Sequence, residues 1–236
     1  MENWLAIAVG IYLVSMVLYG HYRGFLRLAV SMGALIVTLV VVNIAMPRVT
    51  SFLKQNSTIH QFVEDSMKEA LGLTDTEDEA TQLPSVQRTV IEGLDLPEPL
   101  KKALIENNNS EVYEMLGVNA FTEYVGTYIT NVIINMIGFI VLFGLVFVLI
   151  HVVMAWADIL ARLPIINGLN KIAGALLGGL QGLIFFWIIC LAVTIFSGTT
   201  LGSMLVSQIE SSVWLSYLYT HNLLSDIMIG LIYSMF

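Results

Sequence analysis

Charged side chains are scarce in this chain of 236 residues, at 12% of the total, whereas a typical soluble domain carries about 25%. Hydrophobic residues make up 57% of the sequence, and the mean hydropathy is +0.81. This composition excludes a disordered chain and argues against a soluble enzyme. The net charge of −8 argues against a nucleic-acid partner, because binding nucleic acid requires a basic surface.

Cysteine is nearly absent, and the common catalytic motifs are missing. The single cysteine excludes an intrachain disulfide and a multi-cysteine metal site. The sequence has no HExxH, GxSxG or phosphate-loop motif and no pair of carboxylates within an apolar run. The acidic run Thr74–Glu79 lacks the glycine of a calcium loop, so we interpret it as a solubilising segment rather than a cation site. We predict no catalytic residue, no metal and no cofactor, and we expect that the protein is not an enzyme.

Four apolar runs contain no Asp, Glu, Lys or Arg. A helix of about 20 residues crosses a hydrocarbon core of about 30 Å, so these runs predict an all-α integral membrane protein with four transmembrane helices in two hairpins. The first run is short, and a signal peptide is the alternative for it. It lacks a basic start and an Ala-x-Ala cleavage site, which favours an uncleaved span. The predicted spans are Trp4–Tyr19, Leu28–Met46, Ile129–Met154 and Ile172–Phe196.

The predicted spans divide the chain into four parts. Residues 1–46 and 125–196 form the two hairpins, residues 47–124 an acidic helical insertion, and residues 197–236 an amphipathic segment at the membrane interface. The last part is too short to span again and is expected to lie flat or to pack on the bundle. Within the insertion, the pattern predicts helices over Ile59–Leu71, Pro97–Ile105 and Ser110–Leu116.

The distribution of basic residues predicts the orientation in the membrane. The two short turns contain Arg23, Arg27, Arg162 and Lys171, whereas the residues after span four contain no Lys or Arg. Basic residues are enriched in cytoplasmic loops. We therefore expect the short turns in the cytoplasm and both termini and the acidic insertion outside.

Small residues repeat at intervals of four on two of the spans. Such residues let helix backbones approach closely. In lipid this matters, because an apolar side chain gains little free energy when it contacts protein instead of acyl chains. The repeat favours packing within the bundle, and a homo-oligomer contact is the alternative. The predicted helix-packing residues are Gly174, Gly178 and Gly182 on span four, with Ala29 and Gly33 on span two.

Four polar side chains within the apolar runs are candidate functional residues: Asn131, Asn135 and His151 on span three, and Gln181 on span four. Amides in lipid seek hydrogen-bond partners on neighbouring helices, which is the favoured interpretation here. A solute pathway is the alternative for the amides. A proton relay through His151 would need a second ionisable group, so we interpret it as an interfacial histidine.

Three motifs follow one another along the chain: Arg23-Gly24-Phe25-Leu26-Arg27 after the first span, Leu163-Pro164, and the run Gly168–Gly178, which contains Lys171, entering the fourth span. These motifs give the sequence a resemblance to the bacterial colicin V production (CvpA-like) family. The resemblance implies a multi-pass protein of the bacterial cytoplasmic membrane, linked to toxin or peptide production or export and to envelope homeostasis, without an established reaction. Some relatives carry a serine protease domain outside the membrane after span four.

The chain departs from the family at several charged positions. The family commonly has Asp where this chain has Ala6, an acidic residue near Leu28, Asp-Arg at Asn170-Lys171 and a basic residue at Gln181. Because the carboxylates are missing, an ion-coupled role is disfavoured. We therefore expect a non-enzymatic membrane protein that works with envelope or secretion proteins, and an oligomeric small-solute transporter or channel subunit is the alternative.

Overall fold

The computed structural model describes residues 3–55, 61–67, 83–156 and 169–230, and these ranges contain helices and connecting turns but no strand. The expectation of an all-helical protein is confirmed for this part of the chain. Residues 61–67 are helical. The other helices are α1 (Trp4–Arg23), α2 (Phe25–Gln55), α3 (Pro84–Gly93), α4 (Glu98–Glu106), α5 (Ser110–Leu116), α6 (Phe121–Trp156), α7 (Leu169–Ile195), α8 (Thr200–Glu210), α9 (Val213–Thr220) and α10 (Leu223–Gly230).

Four helices, α1, α2, α6 and α7, are long and apolar enough to cross a membrane, and they coincide with the four predicted spans, the last of which was predicted one residue too long. With 31 and 36 residues, α2 and α6 are longer than those predictions. The boundary predicted after Met46 falls inside α2, which continues through Pro47. Proline removes one helical hydrogen bond. The turns beyond it are held by Val49 and Leu53, which pack around Gly138 of α6.

The helices of each predicted hairpin pack mainly against helices of the other hairpin, and less against each other. The main neighbour of α1 is α7, whereas α2 packs against both α6 and α7. Near the start of α7, Gly174 meets Gly20. Further along, the Tyr12 hydroxyl donates a hydrogen bond to the Gly182 carbonyl at 3.2 Å. The helices α1 and α7 therefore run antiparallel.

The insertion folds into a small helical unit, which we call the cap: α3, α4, α5 and the first turns of α6. Its core includes Leu100, Leu104 and Val112, all at most 1% exposed. The Tyr124 hydroxyl of α6 donates to the Leu104 carbonyl at 2.7 Å, and the Tyr113 ring stacks on the Tyr124 ring at 4.8 Å. The predicted helices over 97–105 and 110–116 are confirmed as α4 and α5, whereas the sequence analysis missed α3.

The C-terminal hairpin, α9 and α10, packs along the bundle instead of lying flat at its edge. The Trp187 indole N–H of α7 donates to the Leu218 carbonyl at 3.1 Å, and the Asn135 amide of α6 donates to the Met228 carbonyl at 3.3 Å. Trp187 lies eight residues before the end of α7, which is about 12 Å along the helix axis. Of the two alternatives for this part of the chain, the described residues of the hairpin show packing on the bundle, because its carbonyls accept hydrogen bonds from side chains of α6 and α7.

Candidate functional site

The sequence motifs meet where the turn between α1 and α2 reaches the start of α7. We call this site the basic junction and define it by Arg23, Gly24, Arg27, Asn170 and Lys171. Only Gly24 separates α1 from α2, and its φ is 78°, a left-handed value that glycine adopts without strain. The Gly24 N–H donates to the Gly20 carbonyl at 2.9 Å, so this residue also closes the last turn of α1.

Asn170 fixes the junction. Its side-chain oxygen accepts a hydrogen bond from the Leu26 N–H at 3.2 Å, which joins the first turn of α7 to the first turn of α2. Its amide lies so close to Gly24 that a Cβ at Gly24 would overlap it. Sequence reasoning had noted Asn170 only as a departure from the family pattern. The structure shows that this side chain connects the two hairpins.

Directly beyond the junction, the glycines predicted on span four face α1. A Cβ on Gly174 or Gly178 would overlap a backbone carbonyl of α1, and one on Gly182 would lie 2.8 Å from the Met16 Cβ. The complementary residue on α1 is Gly20, which the sequence analysis did not identify. The two backbones therefore touch directly at Gly174 and Gly178, and the Met16 side chain packs on Gly182.

The pair on α2 behaves differently. A Cβ on Gly33 would meet no described heavy atom within 4 Å, and Ala29 is half-buried. The helix packs through Leu28, Leu35 and Val42, which are at most 2% exposed and recur every seven residues. Gly33 lies off this face, and a packing role for Ala29 and Gly33 stays a prediction.

Among the described residues, no ion pair involves a cation of the basic junction. The Arg23 guanidinium lies over the Tyr19 ring, 5.3 Å from its centroid. The Arg27 Nε is buried and has no hydrogen-bond partner in the described structure, and Lys171 is exposed. Within their described residues, α1, α2 and α7 contain no Asp or Glu. The predicted motif residues Leu163 and Pro164 lie outside the described residues, and Phe25 is partly exposed beside the turn.

The four intramembrane polar residues do not form one site. The Gln181 amide donates to the Ser31 hydroxyl of α2 at 3.3 Å, whereas Asn135 contacts α10. His151 bonds the Phe147 carbonyl of its own helix at 2.9 Å, and Asn131 is buried on α6. Among the described contacts, no hydrogen bond joins any two of these four side chains.

Sequence reasoning missed the polar contacts of the C-terminal hairpin. Asn222 at its tip donates to the Trp187 carbonyl at 3.0 Å, and its side-chain oxygen accepts from the Leu224 N–H at 3.0 Å. The Tyr219 and Thr194 hydroxyls are 2.7 Å apart. The available signal was the polar pair His221-Asn222 between two apolar stretches, which is typical of a helix–turn–helix tip.

The cap presents a charged surface. A groove of about 370 Å³ is lined by Arg88, Glu92, Glu98, Lys101, Ile105 and neighbouring charged residues of α4. Its exposed ion pairs include Arg88 with Glu92, at 2.9 Å, and such pairs contribute little to stability. Beside the cap, partial burial and then the charge of Glu98 raise the pKa of Glu210 at the end of α8. The cap therefore offers polar groups to solvent around a folded core.

These features define an integral membrane protein with a four-helix bundle, a folded helical cap and a C-terminal hairpin packed on the spans. Residues 113–222, just under half of the chain, match the family described as Colicin V production protein. The predicted resemblance to this family is confirmed over the matched residues. No curated protein and no solved structure matches the chain. The matched segment runs from α5 through α9 and includes Asn170 and the glycines of α7.

Proposed function

We propose that the protein is a non-enzymatic scaffold of the bacterial cytoplasmic membrane, which supports toxin or peptide production or export and envelope homeostasis by binding envelope or secretion proteins. The observation that carries this proposal is the attachment of the cap to a span. Tyr124 and Tyr128 of α6 are at most 1% exposed within the core of the cap, and that core continues into the bundle. A partner held by the cap is thereby coupled to the membrane helices.

The proposed orientation places the basic junction in the cytoplasm and the cap outside. It is supported by the cations at the junction and by the absence of Lys and Arg from the sequence after Lys171. The native Cys190 is buried, so single added cysteines report topology cleanly. We expect a membrane-impermeant maleimide to label Lys102→Cys in intact cells and Lys171→Cys only after the cells are opened. Labelling in the reverse order would contradict this orientation.

The function is tested in a strain that lacks the gene. We expect the deletion to reduce secreted peptide toxin and to increase detergent sensitivity, and the wild-type protein to restore both. The double variant Arg88→Glu/Lys102→Glu reverses the charge of two side chains in the cap. These side chains are 66% and 75% exposed, so the substitutions leave the core intact. We expect it to accumulate normally and restore neither property. A deletion strain with unchanged secretion and unchanged detergent sensitivity would overturn the proposal.

The transporter or channel alternative required an oligomer joined through the glycine face of span four. In the structure, α1 covers that face. An oligomer would therefore have to form through another surface, and no described feature favours one. Solute flux into liposomes that contain the folded protein would revive this alternative.

A further inference from the structure

We propose that the basic junction binds the phosphate group of an anionic phospholipid, with Arg27 as its main ligand. The first ground is the burial of the Arg27 Nε without a hydrogen-bond partner in the described structure. The Arg27 side chain is half-buried at the start of α2, and its Nε is inaccessible to solvent. A buried donor without an acceptor is unfavourable and rare in folded proteins. The described structure holds no acceptor for this donor, and a bound anion would supply one.

The second ground is the uncompensated charge around Arg27. Arg23 and Lys171 are both exposed. Three described ion pairs lie in the cap: Arg88 with Glu92, Lys101 with Glu98, and Lys102 with Glu106. None of them involves a cation of the junction. The described parts of α1, α2 and α7 contain no carboxylate side chain. The junction therefore concentrates three positive charges that no described acidic group neutralises.

The third ground is the position of the junction at the ends of three helices able to span the membrane. Tyr19 and Tyr22, which are 43% and 87% exposed, lie in the last two turns of α1. Exposed tyrosines at span ends are typical of the level of the lipid headgroups. The phosphates of anionic lipids lie at the same level and attract basic segments.

The geometry of the junction favours a defined site over diffuse attraction. Gly24 and the hydrogen bond from Leu26 to Asn170 fix the backbone on both sides of Arg27. The planar guanidinium matches a phosphate group through two parallel N–H···O bonds, whereas a lysine offers a point charge. We therefore expect Arg27 to determine retention of the lipid, and Arg23 and Lys171 to add long-range attraction.

The test uses the full-length protein in mild detergent with phosphatidylglycerol or phosphatidylcholine, and native mass spectrometry counts the retained lipid. We expect wild type to retain phosphatidylglycerol preferentially. Arg27→Gln should weaken this retention about tenfold, the size expected from loss of one charge-assisted hydrogen bond. Arg27→Lys should be intermediate. The matched control is Arg48→Gln, which removes an exposed arginine near the opposite end of the same helix and should match wild type.

Several outcomes would overturn the proposal. These are equal retention of the two lipids by wild type, equal retention by Arg27→Gln and wild type, or an equal loss in Arg48→Gln. Displacement of the lipid by inorganic phosphate would show a site for free anions instead of a lipid site. If Arg27→Gln does not elute as a folded species in size-exclusion chromatography, Arg27→Lys and Lys171→Gln decide the question. Both must then retain less phosphatidylglycerol than wild type.

Discussion

Replacing Gly178 by alanine is expected to destabilise the protein by about 1–3 kcal/mol, the usual cost of forcing extra atoms into a packed contact. The added Cβ would overlap the Met16 carbonyl and lie 3.0 Å from the Gly20 Cα. Both are backbone atoms, so the clash is relieved only if α1 and α7 move apart. Because α7 is the main neighbour of α1, the whole helix loses packing. Equilibrium unfolding of the purified protein by SDS in mixed micelles measures the change.

The matched control is Gly144→Ala on α6. A Cβ on Gly144 would meet no described heavy atom within 4 Å. Alanine is favoured over glycine in a helix interior by about 0.5–1 kcal/mol, so this variant should be unchanged or slightly more stable. The two substitutions are chemically identical and are predicted to act with opposite signs. A similar loss of stability in both variants would show that close packing of α1 on α7 is not the cause.

Replacing Asn222 by alanine is expected to loosen the C-terminal hairpin by about 2 kcal/mol, from the loss of a helix cap and of one buried hydrogen bond. The Asn222 side chain is only 2% exposed. It caps α10 through the Leu224 N–H and joins the hairpin to α7 through the Trp187 carbonyl. Hydrogen exchange measured by mass spectrometry should show faster exchange throughout α9 and α10.

The control for this effect is Asn109→Ala in the cap. The Asn109 side chain accepts from the Val112 N–H at 3.1 Å, so it also caps a helix. No described hydrogen bond connects it to a membrane helix. This variant should lose about 1 kcal/mol, as expected for a cap alone, with faster exchange confined to α5. If exchange in α9 and α10 is unchanged in Asn222→Ala, the hydrogen bond to Trp187 does not hold the hairpin.

Much of the architecture could be predicted from where charges are absent. An ionised side chain is costly in hydrocarbon, so the charge-free runs marked the four long helices. Helix α4 could be predicted because apolar residues at helical spacing follow Pro97. The run Asn107-Asn108-Asn109 ends that pattern. The same kind of signal was present at Pro84 in the first turn of α3, followed by Val90 and Ile91, but it was overlooked.

The choice of neighbours could not be predicted in the same way. A helix that is apolar on every side has no face that identifies its partner, because lipid satisfies each face equally well. The contacts that fix the arrangement join distant residues, such as Leu26 with Asn170 and Ser31 with Gln181. The glycines predicted a close approach to some helix, but only the structure shows that this helix is α1. The lack of a partner for the Arg27 Nε likewise becomes visible only in the fold.

The pairing of the first helix with the last long one has a consequence for biosynthesis. Helix α1 ends at Arg23, but its partner α7 begins only at Leu169. At about 5–20 residues per second, a ribosome needs about 7–30 s to make the intervening chain. During that interval the newly made α1 is surrounded by acyl chains, because α7 has not yet been synthesised. Membrane integration and tertiary assembly are thus separate events, and the translation rate sets the shortest delay between them.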